Sequence, residues 1–379
     1  MEYILYWILA ILAIIIVILL YRYTQTVSGK STTPNAYLQA LEFIISGDRR
    51  QAIEKLKVAV KTDTENVDAY IKLGNLLREQ GLAKNAVRIH SDLTFRNNIS
   101  REQLISIYMA LFDDYFEITD WVHIKETGKK LLAISKDKSV IFRYLAAVEK
   151  IEDWDEAIRI IDEFNRNDDV LTSKRGLYLV MKGLKMIEEN GGHDSRLLFK
   201  EALKYHTKCA AAYYYIGLSY YYTQRYDDAL EYWQKLAMKI PEKSYIAFAM
   251  IEKTFYEMGE FPKVETFYKE LLAKHPSNKH VVSAMAMLLA KKGNVNSAID
   301  LLEKFIVNNP DDKEKALKTL FKMYLNSNND KKALELAKKL ISLSDTTMAD
   351  HYKCSICGQI SEEPEWYCPK CKSLNSFLG

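Results

Sequence analysis

One spacing constrains this chain of 379 residues more than any other feature. A small or compact side chain inside an amphipathic stretch recurs at Ala52, Ala86, Ile124, Ala157, Ser195, Ala229, Val264, Ala298 and Ala333, at intervals of 33 to 38 residues. A period of that length marks a supersecondary unit that cannot bury its apolar face alone and must stack on copies of itself. Only 14 Gly and 7 Pro interrupt the chain, so the repeating element is helical. Pro241, Pro276 and Pro310 close three consecutive units. The spacing predicts an all-α array over residues 35–343, with about nine units of two antiparallel helices each.

Inside the clearest unit the residues are Tyr213, Ile216-Gly217, Tyr220, Ala229, Trp233 and Pro241. The unit from Val67 repeats this with Tyr70, Leu73-Gly74, Leu77 and Ala86. Dipeptides such as Asp153-Trp154, Arg225-Tyr226 and Glu260-Phe261 open second helices. This pattern resembles the tetratricopeptide repeat, which implies a superhelical solenoid with a concave face built from the first helix of each unit. The units around Ile124 and Ser195 match it poorly. In the unit from Ala210, the expected groove residues are Tyr214, Leu218, Tyr221 and Tyr222, candidates for partner contact because tyrosine offers broad area with a polar handle. Tyr213, Tyr215 and Tyr220 are read as repeat core. Cys209 is read as an inert buried thiol, since nothing beside it builds a thiolate site.

Residues 1–23 predict a transmembrane anchor. Ile4 to Leu20 carry no charge, and Tyr3, Tyr6, Trp7, Tyr21 and Tyr23 flank the run as interfacial aromatics do. A cleaved signal peptide fits less well: Glu2 stands where basic residues are usual, and no small-residue cleavage site follows. Arg22 and Lys30 lie after the run and nothing basic precedes it, which places the N-terminus outside and the body in the cytoplasm. Residues 24–34 are small and polar and read as a linker.

Residues 344–379 hold Cys354, Cys357, Cys368 and Cys371. Two C-x2-C turns facing one another make a tetrahedral thiolate cage for one metal ion. Zn and Fe both accept this donor set. Gly358 after the first pair resembles a rubredoxin turn, whereas Lys372 stands at the matching place in the second. That difference favours structural Zn over a redox iron. His351 is read as a bystander. Trp366, Tyr367 and Phe377 give the knuckle enough apolar surface to dock, and its place after the last repeat suggests a cap on the end of the array.

The combination of anchor, repeats and a knuckle made of Tyr352, Cys354, Cys357, Gly358, Trp366, Cys368, Pro369 and Cys371 resembles the lipopolysaccharide assembly protein B family of the bacterial inner membrane. The resemblance implies a single-pass adaptor that brings the deacetylase of the lipid A pathway to the membrane protease FtsH. It implies that the rubredoxin-like knuckle packs on the repeats and is needed for function, and it carries the metal ligands onto the four cysteines. The residues agree with a non-enzyme: no phosphate-cradling glycine loop, HExxH or nucleophile signature is present. A charge balance of 53 basic to 50 acidic residues argues against nucleic acid as partner. Two other readings stay open, a rubredoxin-like electron carrier and a general envelope-assembly scaffold.

Overall fold

The computed structural model describes residues 35–164, 168–190, 194–311, 313–327, 329–343 and 352–378, together with Ile16. The anchor and linker expected over residues 1–34 and His351 lie outside the described residues. Among the described residues no helix is long and apolar enough to cross a membrane.

The chain divides into two compact units, the first ending at Val140 and the second starting at Ile141. Among the described residues the first holds three helix pairs: α1 (Ala36–Ser46) with α2 (Arg49–Thr62), α3 (Val67–Glu79) with α4 (Ala83–Leu93), and α5 (Arg101–Glu117) with α6 (Trp121–Ile134). The division falls in the first turn of α7 (Lys138–Lys150), which pairs with α8 (Trp154–Phe164). The second unit continues with α9 (Asp169–Asn190) and α10 (Ser195–Tyr205), α11 (Ala210–Tyr222) and α12 (Tyr226–Lys239), and α13 (Tyr245–Glu257) and α14 (Pro262–Lys274). It ends with α15 (Lys279–Lys291) and α16 (Val295–Asn308), α17 (Glu314–Asn326) and α18 (Asp330–Leu343), and a small sheet. The helical part of each unit is thus repeat structure of the tetratricopeptide type.

Helix starts follow from local chemistry. Asn35, Asp48, Asn66, Asp120 and Asn278 cap their helices with a side-chain oxygen, and Ser100 with Gln103 forms a capping box. The turn inside a pair has one repeated requirement. Gly47, Gly81, Thr119, Glu152, Gln224, Gly259 and Gly293 all have positive φ, between 56° and 84°. Each stands five residues before a register position, at Ala52, Ala86, Ile124, Ala157, Ala229, Val264 and Ala298. A left-handed residue is how the first helix ends and the chain reverses; where it is not glycine it costs about 1 kcal/mol.

All nine register residues are buried, eight of them at 0% exposure and Ala333 at 2%. Their compactness lets two backbones approach, and in most pairs the residue four further on is large and fills the gap. A Cβ on Gly74 would lie 2.3 Å from the His90 ring, on Gly183 2.5 Å from Phe199, and on Gly217 2.4 Å from Trp233. In the first unit His90 is itself part of a buried polar network. Asp114 accepts from His90 Nδ1 at 2.5 Å and from Arg78 at 2.7 Å, and His90 Nε2 lies 3.1 Å from the Ile71 carbonyl. These groups satisfy one another, as burial demands.

Candidate metal centre

The sheet of the C-terminal knuckle is built from β1 (Tyr352–Cys354), β2 (Ile360–Ser361) and β3 (Phe377–Leu378), in the antiparallel order β2-β1-β3. Two turns carry the cysteines, and they are near copies. In the first, the Gly358 N–H donates to the Cys354 carbonyl at 3.0 Å and the Cys354 N–H to the Gln359 carbonyl at 2.8 Å. In the second, the Lys372 N–H donates to the Cys368 carbonyl at 2.8 Å and the Cys368 N–H to the Ser373 carbonyl at 2.9 Å. Gly358 has φ 73° and Lys372 φ 61°. The lysine therefore adopts the backbone that glycine adopts in the first turn. The expectation that Lys372 disfavours iron rested on a lost turn geometry; the geometry is kept, so Lys372 does not discriminate between Zn and Fe.

The four sulfurs lie within 4.8 Å of one another. Cys354 and Cys371 are 3.7 Å apart, Cys357 and Cys368 3.6 Å. A tetrahedron with metal–sulfur bonds of about 2.3 Å has edges of about 3.8 Å, so the cage fits one ion. Cys354 and Cys368 are buried, and with Phe377 they form the knuckle's core. Burial pushes the Cys354 thiol up, but the Ser376 hydroxyl at 3.2 Å and the N–H groups of Cys357 and Ile356 outweigh it and bring it down to about 6. The Ser373 hydroxyl, 3.2 Å from Cys371, lowers that thiol too. At Cys357 the Gln359 N–H favours the thiolate, yet burial and the three neighbouring sulfurs raise the thiol to about 11. Sulfurs this close cannot all shed protons alone; a bound cation supplies the compensating charge.

The knuckle docks on the repeats of the second unit, but away from the end of the array. Tyr367 donates to the Glu149 carbonyl at 3.1 Å, near the C-terminus of α7, and sets its ring edge-on to Trp154 at 5.5 Å. Lys372 reaches Glu152 at 2.8 Å, and Lys150 donates to the Cys371 carbonyl. Further along, Lys243 donates to Asn375 at 2.5 Å and lies 5.2 Å from the Trp366 ring, while Tyr352 stacks on Tyr245 at 6.0 Å. The contacts thus fall on the α7–α8 corner and the α12–α13 junction, and the expected cap on the last pair is corrected. On that last pair, Leu334 is 60% exposed. Glu149, Lys150, Glu152, Lys243 and Tyr245 had no signal in the sequence beyond the unexplained lysine at 372.

The residues expected in the groove stand at i, i+4, i+7 and i+8 of α11 and so share one face of that helix. Tyr214 is half-buried and edge-on to Tyr215 at 5.3 Å. Burial pushes its phenol up to about 12, helped by the charge of Glu363. Leu218 is half-buried. Tyr221 donates to Glu257 at 2.5 Å and touches Tyr222, which is 74% exposed. Tyr213 and Tyr220 are buried and Tyr215 is half-buried. Cys209 is 1% exposed, and burial raises its thiol to about 11.

Fold and site together define a tetratricopeptide-type repeat protein with a four-cysteine knuckle able to hold one metal ion. Residues 210–243 match the tetratricopeptide repeat family, the segment of α11, α12 and the turn after them. Over its length the chain is similar to curated proteins named lipopolysaccharide assembly protein B. The one from Escherichia coli K12 is 18% identical over 345 residues, covering 90% of this chain and 88% of that protein. The one from Haemophilus influenzae is 20% identical over 358 residues, with the same shares covered. The resemblance read from the residues therefore extends along 90% of the chain.

Proposed function

We propose that this chain is a non-enzymatic adaptor of lipopolysaccharide assembly, tethered to the bacterial inner membrane by residues 1–23. The observation that carries the reading is the similarity along 90% of the chain to proteins named for that process. In this reading Cys354, Cys357, Cys368 and Cys371 hold a metal ion that keeps the knuckle folded against α7 and α13. The face around Tyr214, Leu218, Tyr221 and Tyr222 receives a protein partner. By the family resemblance the partners are the membrane protease FtsH and the deacetylase of the lipid A pathway. Metal capture by four thiolates needs a reducing compartment, which agrees with a cytoplasmic body.

Co-purification of the tagged full chain from its own cells tests this. Recovery of a membrane protease together with a lipid A-pathway enzyme, reduced by Tyr221→Ala and Tyr222→Ala, is expected. Recovery of neither sinks the specific role and leaves a general envelope scaffold. The same preparation addresses electron transfer: a red, reducible chromophore would favour it, and colourless protein with one Zn would exclude it.

A further inference from the structure

A second surface lies on the other side of α11. Tyr214, on the face of the groove residues, and Tyr220 are six residues apart, so they point about 120° apart around the helix. Tyr220 is 6% exposed, yet three cations converge on its ring. Arg196 lies 4.0 Å from the ring centre, Arg225 4.7 Å and Lys200 5.4 Å. Lys200 also donates to the Tyr220 hydroxyl at 2.9 Å. The cationic strip continues along α12: Lys235 lies over Tyr232 at 5.2 Å, and Lys239 donates to the Tyr213 hydroxyl at 3.2 Å.

The acids do not match this charge. Arg225 is paired with Asp228 and Lys235 with Glu231. Arg196 instead donates to the Ser219 hydroxyl and carbonyl at 2.9 and 3.0 Å. Lys200 and Lys239 spend their hydrogen bonds on phenols. Five cations against two carboxylates leave an excess of three on one strip of α10 to α12. Lys200 holds the Tyr220 phenol below its ordinary range, with Arg196 and Arg225 acting in the same sense. Beyond α12, Lys235 and Lys239 line a cleft of about 640 Å³ together with Met238, Phe255 and Phe267, and with Lys263, which is paired with Glu260; Glu231 and Glu270 are the acids of its lining. Cations over aromatic rings beside an apolar cleft are the chemistry that receives carboxylates and an apolar side chain together.

We infer that this strip, from Arg196 to Lys239 with the adjoining cleft, is a docking surface for an acidic protein segment that carries apolar residues. It is separate from the groove at Tyr221 and Tyr222 and does not depend on the function proposed above. The strip runs over α10, α11 and α12, which belong to two successive pairs, an extended geometry that suits a chain segment better than a single enclosed anion.

Fluorescence anisotropy with the detergent-solubilised full chain tests it. The probe is a labelled twelve-residue peptide of four Glu-Glu-Leu triplets, and the control replaces every Glu by Gln. The acidic peptide binds, the control binds at least tenfold more weakly, and added salt weakens binding, as screening requires. Lys200→Gln with Lys239→Gln lowers affinity about tenfold, whereas Tyr222→Ala leaves it unchanged. Lys200→Glu with Lys239→Glu prefers a Lys-Lys-Leu peptide, an exchange that a merely structural role would not produce. Equal binding of the acidic peptide to wild type and both double variants overturns the inference. So does binding only to vesicles of phosphatidylglycerol and phosphatidylcholine without competition from the peptide.

Discussion

Replacing Cys368 by Ser separates the metal's contribution from that of the docking contacts. Cys368 is fully buried and 3.6 Å from Cys357, so the substitution removes one of four ligands at the centre of the cage. Binding of structural Zn contributes on the order of 10 kcal/mol to folding. Four polar contacts hold the knuckle to the repeats, made by Tyr367, Lys372, Lys150 and Lys243. At about 1 kcal/mol each they sum to roughly 4 kcal/mol, and less because Lys372 and Glu152 are 37% and 41% exposed. The ring contacts at Trp154, Tyr245 and Trp366 add about 1 kcal/mol each, so docking still contributes less than the metal and should not hold the knuckle folded once the metal is lost. Hydrogen exchange on the full chain gives the readout. The variant should exchange faster over residues 352–378 and also over 145–155 and 240–246, where the knuckle sits. Residues 314–343 should exchange as in wild type. Faster exchange in 314–343 with none at 145–155 would mean that the knuckle caps the array after all. Unchanged exchange everywhere would mean that no metal supports it.

Two further outcomes follow from the repeat core. Gly217→Ala forces the Trp233 ring to move, because the new methyl would sit 2.4 Å from Nε1, and it endangers that atom's hydrogen bond to the Tyr214 carbonyl. Overpacking and the weakened bond cost about 2–4 kcal/mol and better helix propensity returns about 1. Gly259→Ala meets no atom within 4 Å and bears only its left-handed φ of 72°, about 1 kcal/mol. Urea midpoints should therefore fall further for Gly217→Ala, and equal shifts would refute the packing argument. The second outcome concerns Cys209, whose thiol is raised from 9.0 to about 11 by burial. The unfolded chain loses this proton first, so the stability tied to the neutral thiol is full below pH 9 and declines as pH rises toward 11. A Cys209→Ala protein should lack that part of the alkaline loss in thermal scans; identical alkaline profiles would contradict it.

The fold was legible in the sequence wherever one residue type met a steric need. Ala, Ser, Val and Ile at the register positions could be read because two helix backbones meet there. The left-handed turn was only partly legible. Gly47, Gly81, Gly259 and Gly293 advertise it, but Thr119, Glu152 and Gln224 fill the same position at some cost in strain. The poor match of the third pair has a physical reason as well. Most pairs place a small or slender residue twelve before the register position and a large one four after it, as Gly74 and His90 or Gly217 and Trp233. In the third pair the sizes are exchanged, with Phe112 first and Gly128 second, and both are buried. Volume is conserved across the pair while the motif is not, so a search by residue identity misses what packing preserves.

The metal ligands were legible for a different reason: their spacing is local, and a tight turn brings two sulfurs together without help from the rest of the chain. Where the knuckle docks was not legible, because it depends on pairs more than 100 residues apart, such as Tyr367 with Glu149 and Lys243 with Asn375. Lys372 joins the two problems. Judged against its own turn it is a poor residue, with a left-handed φ that glycine would adopt freely. Judged against the repeats it supplies an ammonium to Glu152, which is itself left-handed at the α7–α8 turn. Two strained residues meet in one ion pair, one from each side of the docking surface. The strain at each, about 1 kcal/mol, is sustained by the turns that hold them, and neither turn needs a charged residue for its own geometry. Charge at both positions is accounted for by the docking of knuckle on repeat, which makes the lysine a mark of where the knuckle sits rather than of which metal it holds.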